Sequence, residues 1–309
     1  DGVISADVTL QTLVDAIVAA GGPSYAFIDN SFIGNNLSGG QPGGNIRTAF
    51  LYNPERVGLD AASVQTIDGQ SPGQAFEGAR LPLVATFEFN GEALTVVNSH
   101  FSSKGGSAPV MGIEQDFTSR QEEVIVNGSL DERQLQSGAV QAYVSGLLAA
   151  DPESAVVVLG DFNEFEFISP VTGLESIGLS NLTNSLADNE RYSFIFQGNS
   201  QSLDHILVSD ALVEDAEFDI VHTNTEFAET SMRASDHDPL IVALSLSSAA
   251  LIGDIDGDGD LDRRDSRLFW RAFGSEEGDR RYNPAADFDN DGTVSLKDFL
   301  IFFFSLFNR

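Results

Sequence analysis

Residues Ala155 to Leu159 form an uninterrupted apolar run that stops abruptly at Gly160-Asp161-Phe162-Asn163. A strand with no polar side has to be covered on both faces, so this run requires a sheet packed under helices. The covering elements are legible. After Asp7, a candidate helix N-cap, Leu10, Leu13, Val14, Ile17 and Val18 recur at helical spacing until Gly21-Gly22. Segment 131–149 repeats the pattern with Leu135, Val140, Val144, Leu147 and Leu148. Further strands are expected at 25–29, 46–52, 81–89, 94–98, 205–209 and 240–246, with a turn at Asn90-Gly91 joining two of them. Helices interspersed with strands and hairpins indicate an α/β class, and 309 residues accommodate one large domain with an appendage.

Charge narrows the functions open to such a chain. Sixteen Lys and Arg stand against 47 Asp and Glu, a formal net charge of −31. A chain so acidic does not hold nucleic acid through a general basic surface, although an enzyme that brings cations to a polyanion remains open. The absence of cysteine excludes disulfides, thiolate zinc sites and a thiol nucleophile. No apolar run approaches the roughly 20 residues of a membrane helix, so no membrane association is expected. The Gly-rich stretch 39–45 lacks the Lys-Ser/Thr ending of a nucleotide loop and reads as a flexible connection.

Polar residues collect at strand ends. Val96-Val97-Asn98-Ser99-His100 ends one strand, and the buried run ends at Asp161 and Asn163. Ser202-Leu203-Asp204-His205 opens another, and Ser235-Asp236-His237-Asp238-Pro239 precedes the last. Strand ends on a rigid sheet assemble a site from distant sequence. Histidines, aspartates and an asparagine supply proton transfer, hard oxygen ligands and an amide donor, which suits a metal-assisted, water-activating phosphodiesterase.

These four blocks, in this order, resemble the endonuclease/exonuclease/phosphatase superfamily, whose fold is like that of deoxyribonuclease I. The chain is similar in particular to secreted bacterial extracellular nucleases in its helical lead-in, its Gly-Gly-Asn-Ile-Arg segment and its Asn-Ser-His-Phe block. The resemblance covers residues 1–246 and implies a four-layered α/β sandwich, two packed β-sheets flanked by helices. It implies His237 as general base, Asp204 as the partner of its other ring nitrogen, and Asp236 as a ligand of a catalytic Mg²⁺ or Mn²⁺. Asp161 would orient the nucleophile, Asn163 would donate to a phosphate oxygen, and His100 would contact the phosphate or assist the leaving oxygen. Arg80 matches a phosphate-contacting arginine; Arg47 either lines the substrate groove or pairs with a carboxylate. Lys104 is a weaker candidate, and His205 and His222 read as structural. The superfamily also brings an Asn and a Glu to its metal site from positions that would precede Asp1. The chain is therefore expected to be N-terminally truncated, with Glu164 and Glu166 as alternative carboxylates.

A second unit begins after a linker at 247–253. Asp254, Asp256, Asp258, Asp260, Asp262 and Asp265 recur with Gly259 in the order of an EF-hand calcium loop, in which oxygens wrap a hard ion and glycine makes the sharp turn. Asp287, Asp289, Asp291, Gly292, Thr293 (through its carbonyl) and Asp298 repeat that order 33 residues later. A small all-α module over 254–309 that binds two Ca²⁺ is expected. Aspartate at the twelfth position and the spacing resemble dockerin modules, which implies a cohesin-like protein partner. Two apolar stripes on the last helix, Phe299/Phe302/Phe303/Leu306 and Leu300/Phe304/Phe307, both call for burial, one of them against Leu268, Phe269 and Phe273.

The combined expectation is a secreted bacterial nuclease acting on extracellular DNA or RNA. The alternatives are a phosphodiesterase or phosphatase of the same superfamily with another substrate, and a docking module with a non-functional catalytic remnant.

Overall fold

A computed structural model describes residues 2–39, 45–108, 117–228, 233–246, 252–257 and 261–305. It divides into two compact units near Leu246. In the larger unit the first helix, α1 (Asp7–Ala19), starts one residue earlier than expected. Ala6 is the N-cap, its N–H donating to the Asp29 carboxylate at 2.8 Å. Asp7 stands instead in the first turn, where its charge favours the helix dipole. Strands β1 (Ala26–Asp29) and β2 (Ala49–Tyr52) pair antiparallel. They are followed by β3 (Gly58–Gln65), β4 (Leu83–Phe89) and β5 (Glu92–His100). Asn90 and Gly91 both have positive φ, 52° and 81°, the mirror-image turn that a two-residue hairpin requires.

Helices α2 (Phe117–Gln121) and α3 (Leu130–Ala150) lead to β6 (Ala155–Asp161), then α4 (Ser169–Glu175) and β7 (Leu179–Asn181). The short hairpin β8 (Phe194–Phe196) and β9 (Asn199–Gln201) precedes β10 (Asp204–Ser209), α5 (Asp210–Val213), β11 (Glu217–Ile220) and β12 (Leu240–Ala243). Six strands form one mixed sheet in the order β3-β4-β5-β6-β10-β7. The expected second sheet differs. Among the described residues β1–β2 and β11–β12 are separate two-stranded ladders, each strand only four residues long and paired antiparallel with its one partner.

The apolar run lies in the middle of the six-stranded sheet, as its composition demands. Val156 and Val158 face a core completed by Val97, Leu207, Val140 and Val144 of α3, and Val171 and Leu174 of α4. Each fully buried valine contributes roughly 1.5–3 kcal/mol. α3 does not turn its whole apolar stripe inward: Leu135 is 64% exposed, while Arg133 and Gln136 are fully buried. The cause is a buried carboxylate beneath the helix, described below. β5 and β6 run parallel, with Ser99 opposite Gly160. Gly160 has φ +133°, and a Cβ there would lie 1.8 Å from the Ser99 carbonyl oxygen. Glycine is what allows the two backbones to meet.

In the smaller unit α6 (Arg263–Ala272) and α7 (Leu296–Ser305) pack through Phe269, Ala272 and Phe302, joined by Ile255, Ala286 and Val294. Leu268, Phe273 and Phe299 pack on this cluster as expected, whereas Leu300, Phe303 and Phe304 are exposed. Leu306 and Phe307 lie outside the described residues, as do the linker residues 247–251.

Gly160→Ala is expected to cost about 3 kcal/mol or more, because both the positive φ and the Ser99 contact forbid a side chain. Urea unfolding of the two proteins measures this, and an unchanged midpoint would contradict the close-approach account.

Candidate active site

Three neighbouring strands end at one level. Pairing sets His100 of β5 opposite Asp161 of β6, and Asp161 opposite Asp204 of β10. Directly paired residues project to the same face, so the register alone delivers a row of His, Asp and Asp. His100 Nε2 lies 3.4 Å from Asp161 Oδ2. The segment before β12 adds His237, whose Nδ1 meets Asp204 Oδ2 at 2.6 Å. Ser193 Oγ donates to the same oxygen at 2.6 Å. The His237 ring stacks on Phe194, with centroids 4.6 Å apart, and its backbone bridges to Phe194. His237 is therefore held from two sides.

The environments of these groups differ in ways that set their charge. Burial disfavours the protonated ring of His100, Arg80 adds to the effect, and its pKa falls to about 4. His100 is thus a neutral imidazole at physiological pH. Burial also disfavours the charged ring of His237, but the hydrogen bond and charge of Asp204 outweigh it and raise the pKa to about 9. Asp161 is pushed up to about 7 by burial and by the adjacent Asp204 charge. Arg80 lies close enough to interact with Asp161, and burial lowers its pKa. Its Nε is buried with no hydrogen-bond partner. A buried guanidinium N–H without a partner is available to a hydrogen-bond acceptor.

The row fits a hard divalent cation. Ligand atoms of Asp161, Asp204 and His237 all lie within 4.8 Å of one another. Two adjacent carboxylates that ionise against each other gain most from a positive ion between them.

The other expected residues have identifiable partners of their own. The Asn163 amide is already committed, donating to the Phe101 carbonyl at 3.1 Å and to Asp161 Oδ2 at 3.2 Å. Its backbone N–H also donates to Asp161 Oδ1 at 2.8 Å, and its φ is 49°. The left-handed turn folds Asn163 back over the Asp161 carboxylate. Arg47 donates to both Asp29 oxygens, at 2.8 and 2.9 Å, with little exposure of either side chain. Of its two readings, carboxylate pairing is the observed one. Asp236 is exposed and stands outside the Asp161–Asp204–His237 group. His205 points to the opposite face, with Nε2 2.8 Å from the Glu164 carbonyl. His222 lies 3.0 Å from Asp238 and stacks on Tyr192.

Glu164 is not available to a metal. It is fully buried between Arg133, at 2.9 Å, and Lys104, at 2.5 Å, with Asn127 donating as well. Arg133 and Lys104 thereby tie α3 and the segment after His100 to the segment after Asp161. Lys104 also covers the Phe165 ring at 4.4 Å. Nothing local in the sequence marks Arg133 or Asn127; they become partners only when α3 packs on the sheet. Glu166 is half-buried, with a carboxyl pKa raised chiefly by burial.

In the smaller unit Asp254, Asp256 and Asp265 converge, and so do Asp287, Asp289 and Asp291. Asp265 accepts from the N–H groups of Ile255, Asp256 and Asp262; Asp298 accepts from those of Phe288, Asp289 and Ser295. The hydrogen bonds repeat with the sequence. Asp262 serves as the N-cap of α6 and stands outside the converging acids. Thr293 donates its hydroxyl to Asp291. Asp258, Gly259 and Asp260 lie outside the described residues.

No family model matches the sequence, and no curated protein does. Solved structures do. TDP2 from Caenorhabditis elegans is similar at TM-score 0.50 and 16% identity, over 79% of this chain and 62% of that one. The chain thus spans less than two thirds of that protein. A humanized D. rerio TDP2 is similar at TM-score 0.50 and 18% identity, over 77% of this chain and 82% of that one. The likeness is one of fold: the larger unit shares the α/β fold of these two TDP2 structures.

Arg133→Ala would leave Glu164 buried without its fully enclosed partner, at an expected cost of about 3–5 kcal/mol. Chemical denaturation checks this, and a loss within experimental error of zero would show that Lys104 alone neutralises the site.

Proposed function

We propose that the protein is a divalent-cation-dependent phosphodiesterase that acts on nucleic acid, a secreted bacterial nuclease with extracellular DNA or RNA as substrate. The observation that carries this reading is the juxtaposition of the Asp204–His237 pair, at 2.6 Å, with the buried, unpartnered Nε of Arg80. One side of the row moves a proton; the other receives an anion.

Asp204 holds His237 through Nδ1, which leaves Nε2 to take the proton of an attacking water and stabilises the imidazolium that results. In the metal-free site His237 holds its own proton at neutral pH. With a cation held beside Asp161, His237 would give up that proton more readily and become available as the base. Asp161, fixed by Asn163, orients the water. Neutral His100 offers a ring N–H to the phosphate or the leaving oxygen, and Arg80 binds a non-bridging oxygen. Mg²⁺ or Mn²⁺ would be held by Asp161 with Asp236 at the rim, and when bound it neutralises charge on the phosphate in the transition state.

In the smaller unit the converging acids support two Ca²⁺ sites of EF-hand type, and the dockerin resemblance supports a cohesin-like partner. Without the ion, three carboxylates crowd each loop, so binding and ordering are coupled.

Two measurements test these readings. Oligonucleotide hydrolysis in Mg²⁺ or Mn²⁺ should stop on chelation, and His237→Ala should lower turnover by about 10²–10⁴ with much less change in binding. Parental rates in that variant would remove His237 from the chemistry. Separately, adding Ca²⁺ to chelated protein should increase helical circular dichroism, and Asp254→Ala should abolish part of that change. A calcium-independent spectrum would rule the loops out as ion sites.

A further inference from the structure

We propose that the β8–β9 hairpin forms a nucleobase subsite beside the row, in which an unpaired base stacks on Phe196 and presents its edge to Gln201. This rests on the nuclease reading and narrows it to single-stranded substrate.

Phe194 and Phe196, two apart on β8, lie on one face of the hairpin, and their ladder partners Gln201 and Asn199 share that face. Three rings run outward from the site. His237 stacks on Phe194, and Phe194 stacks on Phe196 with centroids 6.3 Å apart and planes within 14°. Phe196 ends the row and is 51% exposed. The turn between the strands has φ of 50° at Gln197 and 81° at Gly198, so a tight two-residue hairpin holds the ring in place.

Next to the ring is a cavity of about 260 Å³, bounded by Phe196, Asn199 and Gln201 on one side and by the Lys104–Ala108 segment on the other. Gln201 is 7% exposed. Its side chain lines that cavity. A carboxamide both donates and accepts, as the edge of a base does.

Charge supplies the reason for such a device. A protein at −31 repels a phosphate backbone, so affinity has to come from contacts that salt and charge do not govern. Base–aromatic stacking is one of these, and it needs bases released from a duplex. Phe196 is a positioning residue: it touches the nucleotide beside the cut and takes no part in proton transfer.

The test compares a single-stranded oligonucleotide with the same strand carrying tetrahydrofuran in place of its bases. The full-length parent, Phe196→Ala and Phe196→Trp are each measured for binding by fluorescence anisotropy and for cleavage in Mg²⁺. The parent should bind the base-bearing strand about tenfold more tightly. Phe196→Ala should lose that advantage, Phe196→Trp should keep it, and all three should cleave the base-free strand at the same rate. Equal binding of the two strands by the parent, or an undiminished advantage in Phe196→Ala, overturns the subsite while leaving the hydrolytic reading intact. Phe196-dependent binding without cleavage of either strand supports the subsite and overturns the hydrolytic reading. A parent that neither binds nor cleaves overturns both.

Discussion

The parallel contact between β5 and β6 is the constraint on which the site depends. At Ser99 and Gly160 the two backbones approach too closely for any Cβ, and one step further along the same register lie His100 and Asp161. A glycine with no side chain therefore sets the spacing of His100 and Asp161. Because side chains alternate along a strand, a slip of one residue would send Asp161 to the opposite face from Asp204. The pairing with β10 closes that possibility by placing Asp204 across from Asp161.

Environment, more than residue type, separates the acids of this chain. Asp161 and Glu164 are three residues apart and both belong to the segment where β6 ends. Glu164 is enclosed by Arg133 and Lys104, so its charge is balanced internally and it serves the fold. Asp161 is buried beside a second carboxylate, and these two effects outweigh the opposing charges of His237 and Arg80 and raise its pKa to about 7. Fold and site therefore share one short segment with opposite electrostatics, the first satisfied and the second left for a ligand.

The smaller unit applies a different economy of charge. Its acids follow a sequence repeat, and the backbone hydrogen bonds received by Asp265 and Asp298 follow the same repeat. Each of these two aspartates, fully buried, ties the start of its loop to the residues at the foot of the following helix. The loops are closed by backbone donors, while Asp254 and Asp256 converge in the first and Asp287, Asp289 and Asp291 in the second.

Local sequence determined the buried central strand, the positions of α1 and α3, the Asn90-Gly91 turn and the polar residues that stand at the strand ends. These rest on signals that act over a few residues: apolar run length, helical period, turn chemistry and polar residues at strand ends. β3 carries no such signal. Only Leu59 and Val64 of Gly58–Gln65 are strongly apolar, and the strand exists because β4 offers it an edge. β7, β8 and β9, three residues each, are too short for periodicity to register. Tertiary structure alone decided that Asn163 serves Asp161, that Arg47 serves Asp29, and that Arg133 faces inward while Leu135 faces water. Each of those outcomes depends on which charge or donor arrives from a distant segment, and pairing across such separations is set by packing, not by neighbours in the chain.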